Sequence, residues 1–110
     1  MKNPFLPTAA IVAVMAMAQP ALAQDTTIEI KDYMFMTVTV TAGSKVTWIN
    51  RDEVPHTVRE KNHLFASAAL DTDDSFAYTF TTPGTYEYFC SLHPQMVAKV
   101  IVIPAPKGQG

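Results

Sequence analysis

Three side chains with metal-binding atoms lie close together near the C-terminal end of the chain. Cys90, His93 and Met96 follow one another at intervals of three residues and offer a thiolate, an imidazole and a thioether. Two histidines and one cysteine, with a weak axial methionine, form the ligand set typical of a blue-copper electron-transfer site. This segment contains every member of that set except one histidine. The spacing therefore predicts a single copper ion bound by Cys90, His93 and Met96.

The second histidine ligand must be His56 or His63, because the chain has three histidines. His56 follows a predicted strand and the short polar segment 51–55, and it opens the next extended run. His63 lies among polar residues of a longer connection, which favours a solvated loop histidine. We therefore predict a copper site that consists of His56, Cys90, His93 and Met96.

The elements that would position these ligands are strands. Apolar and polar residues alternate with period two in six short runs rich in Thr, Val, Ile, Tyr and Phe, as strands with one buried side do. This pattern predicts an all-β sandwich of two packed antiparallel sheets. In the long connection 61–74 we expect a short helical turn around residues 64–70. The predicted strands are Thr26–Lys31, Thr37–Thr41, Lys45–Asn50, Ser75–Phe80, Thr85–Cys90 and Ala98–Ile103.

The first 23 residues are typical of a secretory signal peptide. Lys2 precedes the apolar run 9–18, and Ala21-Leu22-Ala23 offers small residues for cleavage after Ala23. Ten apolar residues are too few to span about 30 Å of hydrocarbon, so no stable membrane association is expected. A different cleavage site and a retained anchor stay open as alternatives. We expect a periplasmic protein with one copper-binding domain at residues 24–103 and a flexible tail at 104–110.

Composition excludes some functions and supports others. The net charge is −2 and no basic run occurs, which argues against a nucleic-acid partner. The single cysteine rules out an internal disulfide, so a bound metal is the other common means of stabilising a small domain. Met34 and Met36 are expected to be packing residues, and the protein is expected to be a monomer.

At these motifs the sequence resembles the cupredoxins, and within them the amicyanins. The resemblance extends over residues 28–102, and the short spacing of the cysteine loop is the feature that indicates amicyanin. The segments that carry it are Val46–Arg51, Pro55-His56, Gly84–Tyr88 and Cys90–Met96.

The resemblance implies a Greek-key sandwich with one type 1 copper ion held by the four residues predicted above. It also implies that His93 reaches the surface through an apolar patch, for which Pro55, Leu92 and Pro94 are the candidates. Amicyanins accept electrons from methylamine dehydrogenase and pass them to a c-type cytochrome. The resemblance thus implies an electron carrier with a dehydrogenase donor and a cytochrome acceptor.

The sequence departs from the family pattern beside the predicted ligands. Thr57 stands where family members commonly have Asn, whose side chain ties the two ligand segments together. We expect a hydrogen bond between Thr57 and Ser91 to replace that tie. Ser91-Leu92 stands where amicyanins tend to have a proline, and Phe89 where they have a polar residue.

Two other classes of copper protein come into consideration. A periplasmic copper chaperone or storage protein stays open as an alternative, although such proteins usually carry Met- and His-rich runs that this chain lacks. A copper enzyme needs an open coordination position or a second metal. His63 alone remains after the ligands are assigned, so we expect no enzymatic activity.

Overall fold

The computed structural model describes residues 23–106 of the chain. The predicted signal peptide lies outside this range apart from Ala23, as do residues 107–110 of the predicted tail. The described residues form seven strands and contain no helix, and therefore none that is long and apolar enough to cross a membrane. The strands are β1 (Thr26–Ile30), β2 (Val38–Thr41), β3 (Ser44–Asn50), β4 (Arg59–Glu60), β5 (Ser75–Phe80), β6 (Gly84–Phe89) and β7 (Val97–Ile103).

The strands form two sheets, in the orders β1-β3-β5 and β2-β7-β6-β4. The expectation of purely antiparallel sheets was wrong, because β1 pairs with β3 and β2 pairs with β7 in parallel. The chain leaves the first sheet after β1, adds β2 to the second sheet and returns as β3. Two reversals of direction separate β1 from β3, so the two strands run the same way. Alternation of polar and apolar residues reports which face is buried and does not report strand direction.

The six predicted strands are all present, with ends shifted by one residue or less, and β4 is an additional strand. It contains only Arg59 and Glu60, which pair with Phe89 and Tyr88 of β6. Two residues are too few to show a period-two pattern, which is why the sequence did not predict this strand.

The predicted helical turn around residues 64–70 is absent, because the backbone of this segment pairs with the chain near His56. Leu70 exchanges two backbone hydrogen bonds with His56, at 2.7 and 3.1 Å. Further along, the Ser67 N–H donates to the Val58 carbonyl, and the Ser67 hydroxyl accepts from the Val58 N–H. These pairings use backbone N–H and carbonyl groups that a helical turn would need for its own hydrogen bonds. They also fix the segment that contains His56.

Trp48 of β3 lies at the centre of the core and is fully buried. Its ring lies 5.2 Å from the Tyr88 ring and 5.8 to 6.4 Å from three phenylalanine rings, those of Phe65, Phe76 and Phe80. Rings at such separations in tilted or edge-on orientations attract one another in addition to burying apolar area. This aromatic core fixes the two sheets against each other and gives the ligand segments a rigid base.

Met34 and Met36 are not packing residues, contrary to expectation: they are 64% and 55% exposed. The residue between them, Phe35, turns inward and packs against Tyr88 with ring centroids 4.7 Å apart. In an extended segment successive side chains point to opposite sides, so an inward Phe35 directs both methionines outward.

Candidate metal centre

The candidate ligands come from two segments at the same end of the sandwich. His56 lies between β3 and β4, where its backbone pairs with Leu70. Cys90 directly follows β6 and continues its inward alternation from Tyr88, so that both side chains are fully buried. His93 and Met96 lie in the loop that joins β6 to β7. The segment that contains His56 and the loop after β6 thus converge on one point.

The structure brings His56, Cys90 and His93 together, as their types and spacing predicted. The Sγ atom of Cys90 lies 3.7 Å from Nδ1 of His56 and 3.7 Å from Nδ1 of His93. All three donor atoms lie within 4.8 Å of one another. Cys90 and His56 are fully buried, while His93 is half-buried. His63 is exposed and is not part of this cluster.

These separations fit one bound metal ion. Zinc, which is similar in size to copper, lies about 2.3 Å from sulfur and about 2.0–2.1 Å from nitrogen in proteins. Two such donors on one ion, at tetrahedral to trigonal angles, are then about 3.6–3.8 Å apart. The observed 3.7 Å falls in this range for both histidines. The two sulfur–nitrogen separations are therefore those expected when one thiolate and two imidazoles bind a single ion.

Met96 lies beside this cluster at the end of the loop. Its carbonyl accepts a hydrogen bond from the Cys90 N–H at 3.2 Å, and its N–H donates to the His93 carbonyl at 2.9 Å. The side chain is buried, with 3% of the residue exposed. These two bonds hold Cys90, His93 and Met96 in one closed turn of the backbone.

Thr57 connects the two ligand segments. Its N–H donates to the Cys90 sulfur at 3.4 Å. Its hydroxyl oxygen accepts from the Ser91 N–H at 2.8 Å and lies 2.9 Å from the Ser91 hydroxyl. The expected bond between Thr57 and Ser91 is therefore confirmed, and Thr57 supplies a tie between the segments.

Asp52 contacts the other nitrogen of His56. Its Oδ2 atom lies 2.8 Å from Nε2 of His56. Burial tends to raise the pKa of Asp52, but hydrogen bonds from the Tyr33 N–H, the His56 ring and the Asp32 N–H together hold this pKa below its usual value. An ionised Asp52 can only accept, so it places the imidazole proton on Nε2 and leaves the Nδ1 lone pair free to face Cys90.

Tyr33 covers the two histidines from outside. Its ring lies edge-on to both, with centroids 5.3 Å from His56 and 4.9 Å from His93. Tyr33 and Asp52 are parts of the site that were not predicted from the sequence. A carboxylate four residues before His56 is a usable signal for Asp52, whereas nothing in the sequence around Tyr33 indicates its position.

Exposed apolar residues adjoin the two candidate histidine ligands along the chain. Pro55, Leu92 and Pro94 are all exposed, and we call these three residues the apolar rim. They come from the same two segments that carry the candidate ligands. The half-buried imidazole of His93 is thus the member of the cluster that reaches solvent in the described part of the chain.

Comparisons with known proteins show the family to which the chain belongs. A family model described as a cupredoxin-like domain matches residues 5–102. Amicyanin of Paracoccus versutus is 39% identical over 88 residues, which cover 76% of this chain and 67% of that protein. Amicyanin-alpha of Methylorubrum extorquens is 36% identical over 106 residues, 89% of each chain.

Solved structures give the same result. The Cu(I) form of an amicyanin mutant superposes with a TM-score of 0.65 at 28% identity and covers 72% of this chain and 82% of its own. The predicted resemblance to amicyanins is thereby confirmed, and the chain belongs to the cupredoxin-like family.

Proposed function

We propose that this protein is a blue-copper electron carrier in which His56, Cys90, His93 and Met96 hold one copper ion. The observation that carries the proposal is the convergence of the Cys90 sulfur and two Nδ1 atoms at 3.7 Å, next to the buried Met96. A bound copper ion would supply a one-electron couple between Cu(II) and Cu(I). Similarity to an amicyanin solved in its Cu(I) form supports the choice of metal.

Each residue has a defined part in this proposal. Cys90 binds as a thiolate, so metal binding releases its proton. His56 presents Nδ1 because Asp52 holds its other nitrogen. Met96 would be the fourth and weakest ligand, and its soft sulfur would favour Cu(I) over Cu(II) and so raise the reduction potential.

The fold limits how far these residues move when the charge of the site changes. His56 is fixed by the backbone pairing with Leu70, and Cys90 by the Thr57 N–H. The closed turn from Cys90 to Met96 fixes the remaining two. A ligand set held in this way rearranges little between oxidation states, which lowers the barrier to electron transfer.

The apolar rim gives this carrier a docking surface around His93. Electron-transfer partners commonly meet over less than about 1,200 Å² in total, and a patch of three exposed apolar residues around a half-buried ligand suits such a brief contact. We propose an amine dehydrogenase as the electron donor and a c-type cytochrome as the acceptor, both by analogy with amicyanins. Export by cleavage after Ala23 would place a monomeric domain of residues 24–103, with its tail at 104–110, in the periplasm.

The first test is the visible and EPR spectrum of the protein loaded with Cu(II). We expect an intense blue band and a small copper hyperfine splitting, both lost reversibly on reduction. A pale spectrum with ordinary hyperfine splitting would show that Cys90 is not a ligand. Rapid copper loss to a chelator, without a reversible redox wave, would indicate a copper chaperone or storage protein instead.

A matched pair of leucines tests the docking surface. Leu92 and Leu64 are equally exposed, at 48%. We expect Leu92→Asp to slow reduction by methylamine dehydrogenase in stopped-flow mixing, without changing the reduction potential. Leu64→Asp, which adds the same charge in the connection after β4, should leave the rate unchanged. Equal rates for both variants would exclude the apolar rim as the docking surface.

A further inference from the structure

One carboxylate joins the candidate metal centre to a distant turn of the chain. Oδ1 of Asp52 accepts a hydrogen bond from the Asp32 N–H at 2.7 Å. Oδ2 accepts from the Tyr33 N–H at 2.9 Å and lies 2.8 Å from Nε2 of His56. The side chain of Asp52 is 11% exposed. Both oxygens are thus engaged, on one side by a backbone turn and on the other by a candidate ligand.

The turn that Asp52 holds has an unfavourable backbone conformation. Asp32 and Tyr33 have φ angles of 56° and 59°, between the paired residues Lys31 and Met34. Two central residues with positive φ make a tight hairpin turn that favours Asn-Gly, and a bulky side chain such as Tyr is disfavoured there. A turn with this sequence needs support from outside, and the carboxylate of Asp52 provides it through both backbone N–H groups.

The consequence of this turn is the position of the Tyr33 ring. The ring lies edge-on against His56 and His93, at 5.3 and 4.9 Å between centroids, while Tyr33 itself is 46% exposed. A ring placed in this way restricts rotation of both imidazoles and shields their faces from water. An ordinary extended conformation at Tyr33 would not hold the ring in this place.

We infer that Asp52 is a positioning residue that fastens the Asp32–Tyr33 turn to His56 and so holds the Tyr33 ring as a cover over both histidines. The inference rests on the proposed copper site and adds to it a link between the site and the β1–β2 connection. Asp52 also places negative charge next to a copper ligand. Such charge stabilises Cu(II) more than Cu(I), so Asp52 lowers the reduction potential.

The test compares Asp52→Asn with Glu53→Gln. Both variants remove one negative charge, and Glu53 is the exposed neighbour of Asp52. In the metal-free protein we expect Asp52→Asn to speed amide hydrogen exchange at residues 32 and 33 by roughly tenfold or more, the factor that corresponds to a lost hydrogen bond to a charged group. In the copper protein we expect a higher reduction potential. Glu53→Gln should change neither quantity.

Unchanged exchange at residues 32 and 33 in Asp52→Asn would overturn the fastening role, and equal potentials in the two variants would overturn the effect on copper. The exchange measurement needs no metal, so it tests Asp52 even if the protein proves not to be a blue-copper carrier. A failure of the proposed function would instead appear as the absence of a blue band in the unmodified protein.

A second variant tests the ring separately from the carboxylate. Tyr33→Ala keeps the Asp52 side chain and the backbone N–H of residue 33, and it removes only the cover. We expect EDTA to remove Cu(II) several-fold faster from this variant than from the unmodified protein, whereas Tyr33→Phe should retain the original rate. Equal removal rates in Tyr33→Ala and the unmodified protein would overturn the covering role.

Discussion

The backbone N–H of Thr57 donates to the sulfur of Cys90 across 3.4 Å, so a main-chain group contacts the atom that would carry the most negative charge in the site. The hydroxyl of Thr57 also lies 3.9 Å from this sulfur, and it makes shorter contacts with Ser91. The shorter contact with sulfur therefore comes from the backbone next to His56, while the hydroxyl connects the two ligand segments.

This division of roles leads to a prediction for Thr57→Val, which removes the hydroxyl and keeps the size of the side chain. The Ser91 N–H loses its acceptor, and we expect the free energy of unfolding of the metal-free protein to fall by about 1–2 kcal/mol in urea denaturation. The copper protein should stay blue because the Thr57 N–H remains. Ser91→Ala, which keeps the Ser91 N–H bond to Thr57, is the control and should cost less. Equal stability of Thr57→Val and the unmodified protein would contradict this role for the hydroxyl.

The proposed role of Met96 as a copper ligand predicts a change in reduction potential without loss of the site. We expect Met96→Gln to lower the reduction potential measured by potentiometry, because an amide oxygen is a harder ligand and favours Cu(II). Met34→Gln makes the same replacement at a methionine that is 64% exposed and should leave the potential unchanged. An unshifted potential in Met96→Gln would count against Met96 as a ligand.

The choice between the two upstream histidines is tested by two alanine variants. His56→Ala should abolish the intense blue band, because Nδ1 of His56 is one of the three clustered donor atoms. His63→Ala should keep the band, because this side chain is exposed and outside the cluster. The reverse pattern in the visible spectra would overturn the assignment.

Tyr88 predicts how stability depends on alkaline pH. Burial raises the pKa of Tyr88 to about 12, and the phenol O–H donates a hydrogen bond to the Met36 carbonyl. In the unfolded chain the phenol ionises near pH 10. The folded state thus binds the phenol proton more tightly. The contribution of protonated Tyr88 to the free energy of unfolding is therefore complete below about pH 10 and is lost as the pH rises towards 12.

We therefore expect the free energy of unfolding to decline by as much as about 3 kcal/mol between these two pH values because of Tyr88. Tyr88→Phe, which has no phenol, should start from a lower stability and decline less over the same range in urea denaturation. Parallel declines in the two proteins would show that Tyr88 ionises alike in the folded and unfolded states.

Three of the four candidate ligands could be predicted from sequence because their arrangement is local. Cys90, His93 and Met96 lie in one loop, and the period-two pattern of β6 directs Cys90 inward. The strand pattern likewise predicted the faces that carry Trp48, Phe80 and Tyr88, whereas Phe65 lies between β4 and β5. In each case the residues that matter lie on one strand or in one loop.

The remaining features depend on pairing between distant segments. Asp52 accepts a hydrogen bond from the N–H of Asp32, which lies 20 residues earlier in the chain. Their meeting requires β1 to lie parallel to β3, and alternation along either strand carries no information about this pairing. Tyr33 owes its place over the histidines to that meeting, so its position could not be predicted from the local sequence pattern.

The complete burial of Cys90 has a consequence for the chain before it acquires metal. A thiol with no exposed surface cannot attack a disulfide or meet a second thiol, and Cys90 is the single cysteine of the sequence. Once folded, the metal-free protein is therefore shielded from oxidative dimerisation even in an oxidising compartment. A disulfide-linked dimer would accordingly mark molecules that met before folding or after unfolding, so its abundance records how long the chain stays unfolded.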